Sequence, residues 1–113
     1  MRLESRKYLF DIQRAIALLV DFTAGKTFDD YSGDAMRRAA VEREFEIIGE
    51  ALTQLLKIDE STANSISEHR RIIAFRNILI HGYAEVADQL VWDVVETKLP
   101  VLSREIAALL DSK

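Results

Sequence analysis

The sequence predicts an all-α fold, a four- to five-helix up-down bundle whose last helix is kinked at Pro100. Three observations carry that prediction. Apolar residues recur at spacings of three and four in four separate segments. No segment alternates apolar and polar residues as a half-buried strand does. Punctuation is sparse, with one proline and four glycines among 113 residues, so the chain reads as helices with short joints.

The first helix is expected from about Leu3 to Ala24, on the stripe Tyr8, Ile12, Ala15, Leu19 and Phe22. Gly25 follows where a helix commonly stops. "GKTFDDYSGD" reads as a loop, with Asp34 as the N-cap of the next helix. That second helix, about Ala35 to Lys57, has the strongest period in the chain: Val41, Phe45, Ile48, Leu52 and Leu55. Ile47, Ala51 and Leu56 widen its stripe, so it is expected to touch more than one neighbour. "DESTANS" is a connector with room for a short helical turn. A third helix starts near Ser65 or Ser67, where Ser65 and Glu68 have capping-box spacing. Ile72, Phe75 and Leu79 form its apolar face, and Gly82 is expected to end it. The fourth runs from about Asp88 to Leu110, with Leu90, Val94, Val101, Leu102, Ile106 and Leu109 pointing inward. Pro100 lies inside that pattern, removes a backbone donor and crowds the preceding turn, so a kink or a break is expected there.

Length and composition suit one domain, 1–113, around one core. The absence of cysteine excludes disulfides and cysteine-based zinc sites and suits a reducing compartment. The N-terminus lacks the layout of a signal peptide, and its apolar run from Ala15 to Val20 is too short to span a bilayer, so the expected location is the cytoplasm. A net charge of −4 argues against a surface that coats nucleic acid as a whole. Any RNA contact has to be local. Two basic groups exist, Arg37 with Arg38 and Arg43, and His69 with Arg70, Arg71 and Arg76; on charge alone each reads as a solvated helix face. Asp29, Asp30 and Asp34 read as a solvated acidic turn, and no metal site is expected.

The stretch "RNILIHGY", Arg76 to Tyr83, concentrates the chemistry. It holds one of only two histidines in the chain. Imidazole titrates near neutral pH and suits general acid–base work. A guanidinium is always charged and suits a phosphate. On an ideal helix Arg76 and His81, five apart, differ by about 140° and are poor neighbours. With Gly82 following, His81 is expected in the frayed last turn. By itself this spacing is also that of an arginine and a histidine capping the carbonyls of a helix end.

"YLFDIQRAI", "AAVEREFEIIGEAL" and "RNILIHGY" followed by "VW" occur in that order. Together they resemble the HepT-like branch of the HEPN superfamily over roughly Tyr8 to Leu110. The resemblance implies a metal-independent endoribonuclease without a cofactor, acting as the toxin of a HEPN/MNT (type VII-like) toxin–antitoxin pair. It implies Arg76 and His81 as catalytic residues and Asn77 as the supporting polar residue. It implies Tyr83 as the acceptor of AMP from a partner nucleotidyltransferase, the MNT-type antitoxin, which silences the toxin. It also implies a homodimer in which two copies of the stretch face one another.

The chemistry fits that expectation. RNA carries its own nucleophile, the 2′-OH, and cleavage needs a base, an acid and a cation for the phosphorane. One chain offers one histidine in this stretch, whereas two chains about a two-fold axis offer an acid–base pair. The expected product ends are a 2′,3′-cyclic phosphate and a 5′-OH. Glu68 and His69 stand where the family often has proline and tryptophan. His69 reads as a surface residue or, with Arg70 and Arg71, as an RNA contact. Glu50 is expected to hold Arg76 or a backbone donor through a buried ion pair, whose loss typically costs about 3–5 kcal/mol. The alternative reading is a non-catalytic HEPN module that binds a nucleotide or regulates its partner by dimerisation.

Overall fold

A computed structural model of the chain describes residues 1–81 and 87–111. They form an all-α bundle: α1 (Leu3–Thr23), α2 (Phe28–Ser32), α3 (Ala35–Ile58), α4 (Glu60–Asn64), α5 (His69–His81), α6 (Asp88–Asp93) and α7 (Leu99–Asp111). A π turn, Val94–Lys98, joins α6 to α7 in one continuous rod. The four long elements are those the apolar periods predict, α4 is the short turn for which "DESTANS" left room, and the one-turn helix α2 is added in the first connection.

The period of α3 translates directly into core. Val41, Ile48, Leu52 and Leu55 are fully buried and Phe45 nearly so. The widened stripe lets α3 serve as the central helix, packed against α1, α4 and α5. In α1 the predicted stripe is too narrow. Leu9 and Ile16 are buried as well, because α1 packs on α3 along one side and on α7 along another.

The expected loop after α1 is held more firmly than its composition suggests. Thr27 and Asp30 close a capping box, Thr27 Oγ1 accepting from the Asp30 N–H and the Asp30 carboxylate accepting from the Thr27 N–H. The turn seats Tyr31 in the core against Trp92, ring centroids 5.4 Å apart. Asp34 caps α3 as expected, accepting from the Arg37 N–H at 3.1 Å. Arg37 and Arg38 do not form a merely solvated face. Arg37 Nε donates to the Phe22 carbonyl at 3.0 Å, and Arg38 donates to the Ser32 carbonyl, so both fasten this connection.

Around Pro100 the departure from α geometry is the π turn, with the Leu99 N–H donating to the Val94 carbonyl five residues back. The wider turn gives the pyrrolidine ring room against the preceding carbonyls, and Pro100 itself is the second residue of α7. It also adds a residue to one turn and so shifts the phase of everything across it by about 100°. The inward face predicted from one uninterrupted period is corrected accordingly. Leu102 and Ile106 are buried and Val94 and Leu109 pack partly buried against the core, but Leu90 is 44% exposed, and Val91, Trp92, Val95, Leu99 and Leu110 are buried beyond the predicted set.

The start of α5 is likewise displaced from the expected capping box. Ser65 closes α4 by donating to the Thr62 carbonyl, and Glu68 takes a left-handed backbone, φ 55°, immediately before α5 begins at His69. The predicted end of this helix at Gly82 lies outside the described residues.

Ser5 is polar and fully buried within the core, and it donates to Asp59 at 2.7 Å. Asp59 also accepts from the hydroxyl and N–H of Thr62, capping α4. The Ser5 hydroxyl first, then that of Thr62, hold the Asp59 carboxyl below the usual carboxylate range. A lowered folded-state pKa contributes stability above the ordinary value of about 3.9 and loses it as pH falls through the lowered one. Thermal melts taken below pH about 4 should therefore fall more steeply for wild type than for Asp59→Asn. Parallel curves would show that this carboxyl does not contribute.

Candidate active site

The site is built where α5 crosses α3. At the crossing stands Gly49, and a Cβ there would lie 2.2 Å from Arg76 Cβ and 2.5 Å from its Cγ. The missing side chain lets the stem of Arg76 lie on the α3 backbone. Two contacts then fix the guanidinium: Nη2 donates to Glu50 Oε2 at 2.6 Å and Nη1 to Asn77 Oδ1 at 2.9 Å. Its Nε is buried and has no hydrogen-bond partner among the described residues. The stem is thus covered while the fork faces outward, the Arg76 side chain being 25% exposed.

The ion pair to Glu50 is the expected partner in an unexpected environment. Glu50 is 49% exposed and also accepts from Gln54 at 3.1 Å, so the pair is not a buried one. Water screens it, and its loss costs about 1 kcal/mol or less rather than the larger figure for a buried pair. Its role is to aim the guanidinium. A guanidinium has N–H groups beyond those given to Glu50 and Asn77, and these suit an incoming anion.

Arg76 opens into a groove of about 770 Å³ between α1, α3 and α5. Tyr8 and Arg14 line it from α1, Arg43 and Glu50 from α3, and Ile80 from α5. The sequence reading missed the α1 wall and the purpose of Gly49. A signal existed for both. Lys7, Asp11, Arg14 and Leu18 recur at spacings of four, three and four, the same period that marks the core, on a polar face. A glycine inside the most periodic helix costs about 1 kcal/mol against alanine and so flags a close approach.

His81 is the last residue of α5 and exposed. The helix continues in α geometry from Arg76 to His81, so the two lie about 140° apart around the axis and about 7.5 Å along it. On the backbone the two positions therefore lie on different sides of α5. Tyr83 lies outside the described residues.

The other basic residues sit elsewhere. His69 is not a surface histidine: its ring is partly buried, Nδ1 lies 3.2 Å from the Ile66 carbonyl, and Nε2 is buried with no partner among the described residues. Arg71 pairs with Glu68 at 3.1 Å and lines a different hollow, while Arg70 is exposed near the start of α5. The structure does not bring His69, Arg70 and Arg71 into the groove with Arg76.

Among the described residues no helix is long and apolar enough to cross a membrane, and no group of three candidate ligands for a metal ion occurs.

Comparison with known proteins gives one consistent answer. The family model "Ribonuclease HepT-like" matches residues 12–109. The "Probable ribonuclease HepT" of Thermococcus cleftensis is 32% identical over 109 residues, covering 96% of this chain and 98% of its own. A "Putative RNase" of Methanocaldococcus jannaschii is 32% identical over 107 residues, 93% of this chain and 86% of its own. A "Gamma-glutamylcyclotransferase and putative RNase" of the same organism is 34% identical over 111 residues, and this chain spans 50% of its length. No solved structure gives a significant match.

Proposed function

Because the chain belongs to the HepT-like ribonuclease family, we propose that it is a cytoplasmic endoribonuclease that cleaves RNA without a metal ion, as a homodimer with one composite active site. The observation that carries this reading is the geometry of α5. Arg76 is fixed at the floor of a groove, while His81 faces about 140° away on the same helix. A two-fold axis beside α5 lets the histidine of one protomer approach the arginine of the other. It also gathers two imidazoles in one cleft.

In the proposed reaction the 2′-oxygen attacks the adjacent phosphorus and one His81 takes its proton. The bond from phosphorus to the 5′-oxygen breaks, and the second His81 gives a proton to that departing oxygen. Arg76 holds the non-bridging oxygens, whose charge grows in the transition state. Asn77 and Glu50 keep its fork aligned. The products are a 2′,3′-cyclic phosphate and a 5′-OH.

On the same reading the chain is the toxin of a toxin–antitoxin pair. A nucleotidyltransferase antitoxin transfers AMP from ATP to the Tyr83 hydroxyl, with pyrophosphate leaving. The modification sets anionic bulk two residues from His81, where it competes with RNA for Arg76.

A second reading, a nucleotide-binding or regulatory dimerisation module, draws support from the groove's charge. Its four cations, Lys7, Arg14, Arg43 and Arg76, are matched by the four carboxylates of Asp11, Glu44, Glu46 and Glu50. Such a lining suits a protein or a single nucleotide as well as a polyanion.

Incubation of purified protein with RNA in excess EDTA separates the two. The nuclease reading expects cyclic-phosphate and 5′-OH ends from wild type, and cleavage slowed by about 10²–10⁴-fold in His81→Ala. Ends bearing a 3′-OH, a requirement for Mg²⁺, or equal cleavage by the variant would sink it.

A further inference from the structure

On the flank of α5 away from Arg76 lies a second hollow, about 350 Å³ in volume, between α5 and the rod formed by the π turn and α7. Its walls are apolar. Phe45 and Phe75 meet edge to face in it, ring centroids 5.4 Å apart, and Ile72, Ile78 and Leu102 surround them. The volume falls within the range of small-molecule sites and is too small for a helix of a partner protein. At its edge Ile78 is 50% and Leu90 44% exposed. The catalytic helix of the preceding reading packs along α3, and this hollow separates it from α7.

The mouth is charged in one particular way. Lys98 Nζ lies 2.6 Å from Glu68 Oε2 and Arg71 Nη1 lies 3.1 Å from Glu68 Oε1. Among the described residues that line the mouth two cations thus share one carboxylate, and the Glu105 carboxylate stands beside them, accepting from the Ser67 N–H at 3.0 Å and the Ser67 hydroxyl at 2.6 Å. The carboxylate that bridges them belongs to the residue with the left-handed backbone, φ 55°, a conformation that side chains rarely adopt. One wall is the π turn, and π turns occur frequently at functional sites.

We propose that this hollow binds a small amphipathic acid, its apolar body against Phe45, Phe75 and Leu102 and its carboxylate at Lys98 and Arg71, and that the bound acid braces α5 and so tunes the site built on Arg76. The ligand's carboxylate joins Glu68 between the two cations or takes its place there. Binding stands without the ribonuclease reading; only the effect on cleavage rests on it.

The test is a titration of the full chain with decanoate, and with decanol as the uncharged control, followed by methyl NMR. Shifts are expected to be largest at Ile72, Ile78 and Leu102, and small at Ile47 and Ile80 in the Arg76 groove, which only the coupling through α5 reaches. Decanol is expected to bind about ten-fold more weakly, the worth of a charge-assisted contact. Ala74→Phe fills the hollow from an exposed helical position and should abolish binding. If that variant fails to fold, Lys98→Met serves instead, weakening decanoate about ten-fold and leaving decanol unchanged.

No shifts at saturating decanoate, or shifts shared equally with Ile47 and Ile80, overturn the site. Equal binding of decanol overturns the acid specificity and makes the hollow a socket for an apolar side chain of a partner. Binding without any change in the rate of RNA cleavage overturns the coupling to Arg76 while leaving the ribonuclease reading intact. A wild-type protein that cleaves no RNA removes that reading and leaves the binding result standing.

Discussion

A heterodimer of one wild-type protomer and one His81→Ala protomer is expected to cleave RNA about 10²–10⁴-fold more slowly than the wild-type dimer, not two-fold more slowly. The expectation follows from the angular separation on α5. Arg76 and His81 stand about 140° apart on one helix, so on the composite-site reading each protomer supplies part of the catalytic set. If the two histidines divide the work as base and acid, each turnover needs both. Losing either imidazole removes one proton transfer from every site in the population. Two independent active sites predict the opposite, because the wild-type protomer would then keep half the activity. The heterodimer is isolated with two different affinity tags and covalently joined to prevent exchange. Single-turnover cleavage of a labelled RNA then reads the chemical step. A rate near half of wild type would end the composite-site proposal while leaving a monomeric nuclease open. The Arg76→Ala heterodimer adds a finer contrast. Its cleft keeps both imidazoles and one guanidinium, so its loss should be smaller than that of the His81 heterodimer.

The fold was legible because helical period is a local property. Val41, Phe45, Ile48, Leu52 and Leu55 lie on one face by spacing alone, and all are buried. Where the reading failed, a non-local or non-standard feature intervened. The π turn shifts the phase between Val94 and Lys98, so a single period assigned Leu90 to the core and overlooked Val91 and Trp92. Hydropathy does not report such an insertion; the proline that accompanies it is its only trace. The capping box of α2 was present in the sequence as Thr27 and Asp30, but with aspartate in the place where glutamate or glutamine is usual. At the candidate site, the family resemblance carried by "RNILIHGY" and "IIGEA" singled out Arg76 and His81, and Glu50 was expected as a partner of Arg76, with which it pairs. Sequence did not reveal that the partner of Arg76 is half open to water, since burial depends on which helices pass nearby. Nor did it reveal that His69 turns its ring inward. Both facts belong to the tertiary arrangement of α3, α4 and α5.

Gly49→Ala is expected to destabilise the fold and to displace Arg76, although alanine is the better helix former. Two opposing effects decide the sign. Helix propensity favours the substitution by about 1 kcal/mol. Against it, the new methyl would stand 2.2 Å from Arg76 Cβ, and that atom is fixed to the α5 backbone. A flexible side-chain tip would swing away, but a Cβ moves only with its helix. Relief requires α5 to separate from α3, and overpacking of this kind typically costs about 1–3 kcal/mol. The net change is therefore a loss, read as a lowered midpoint in denaturant unfolding. The same displacement lengthens the 2.6 Å contact from Arg76 to Glu50, so RNA cleavage should fall beyond what the loss of folded protein explains. A double-mutant cycle isolates the cause. In an Arg76→Gly background the offending Cβ is gone, and Gly49→Ala should there become neutral or stabilising. If Gly49→Ala costs the same in both backgrounds, the close approach of α3 and α5 is not what requires glycine at this position.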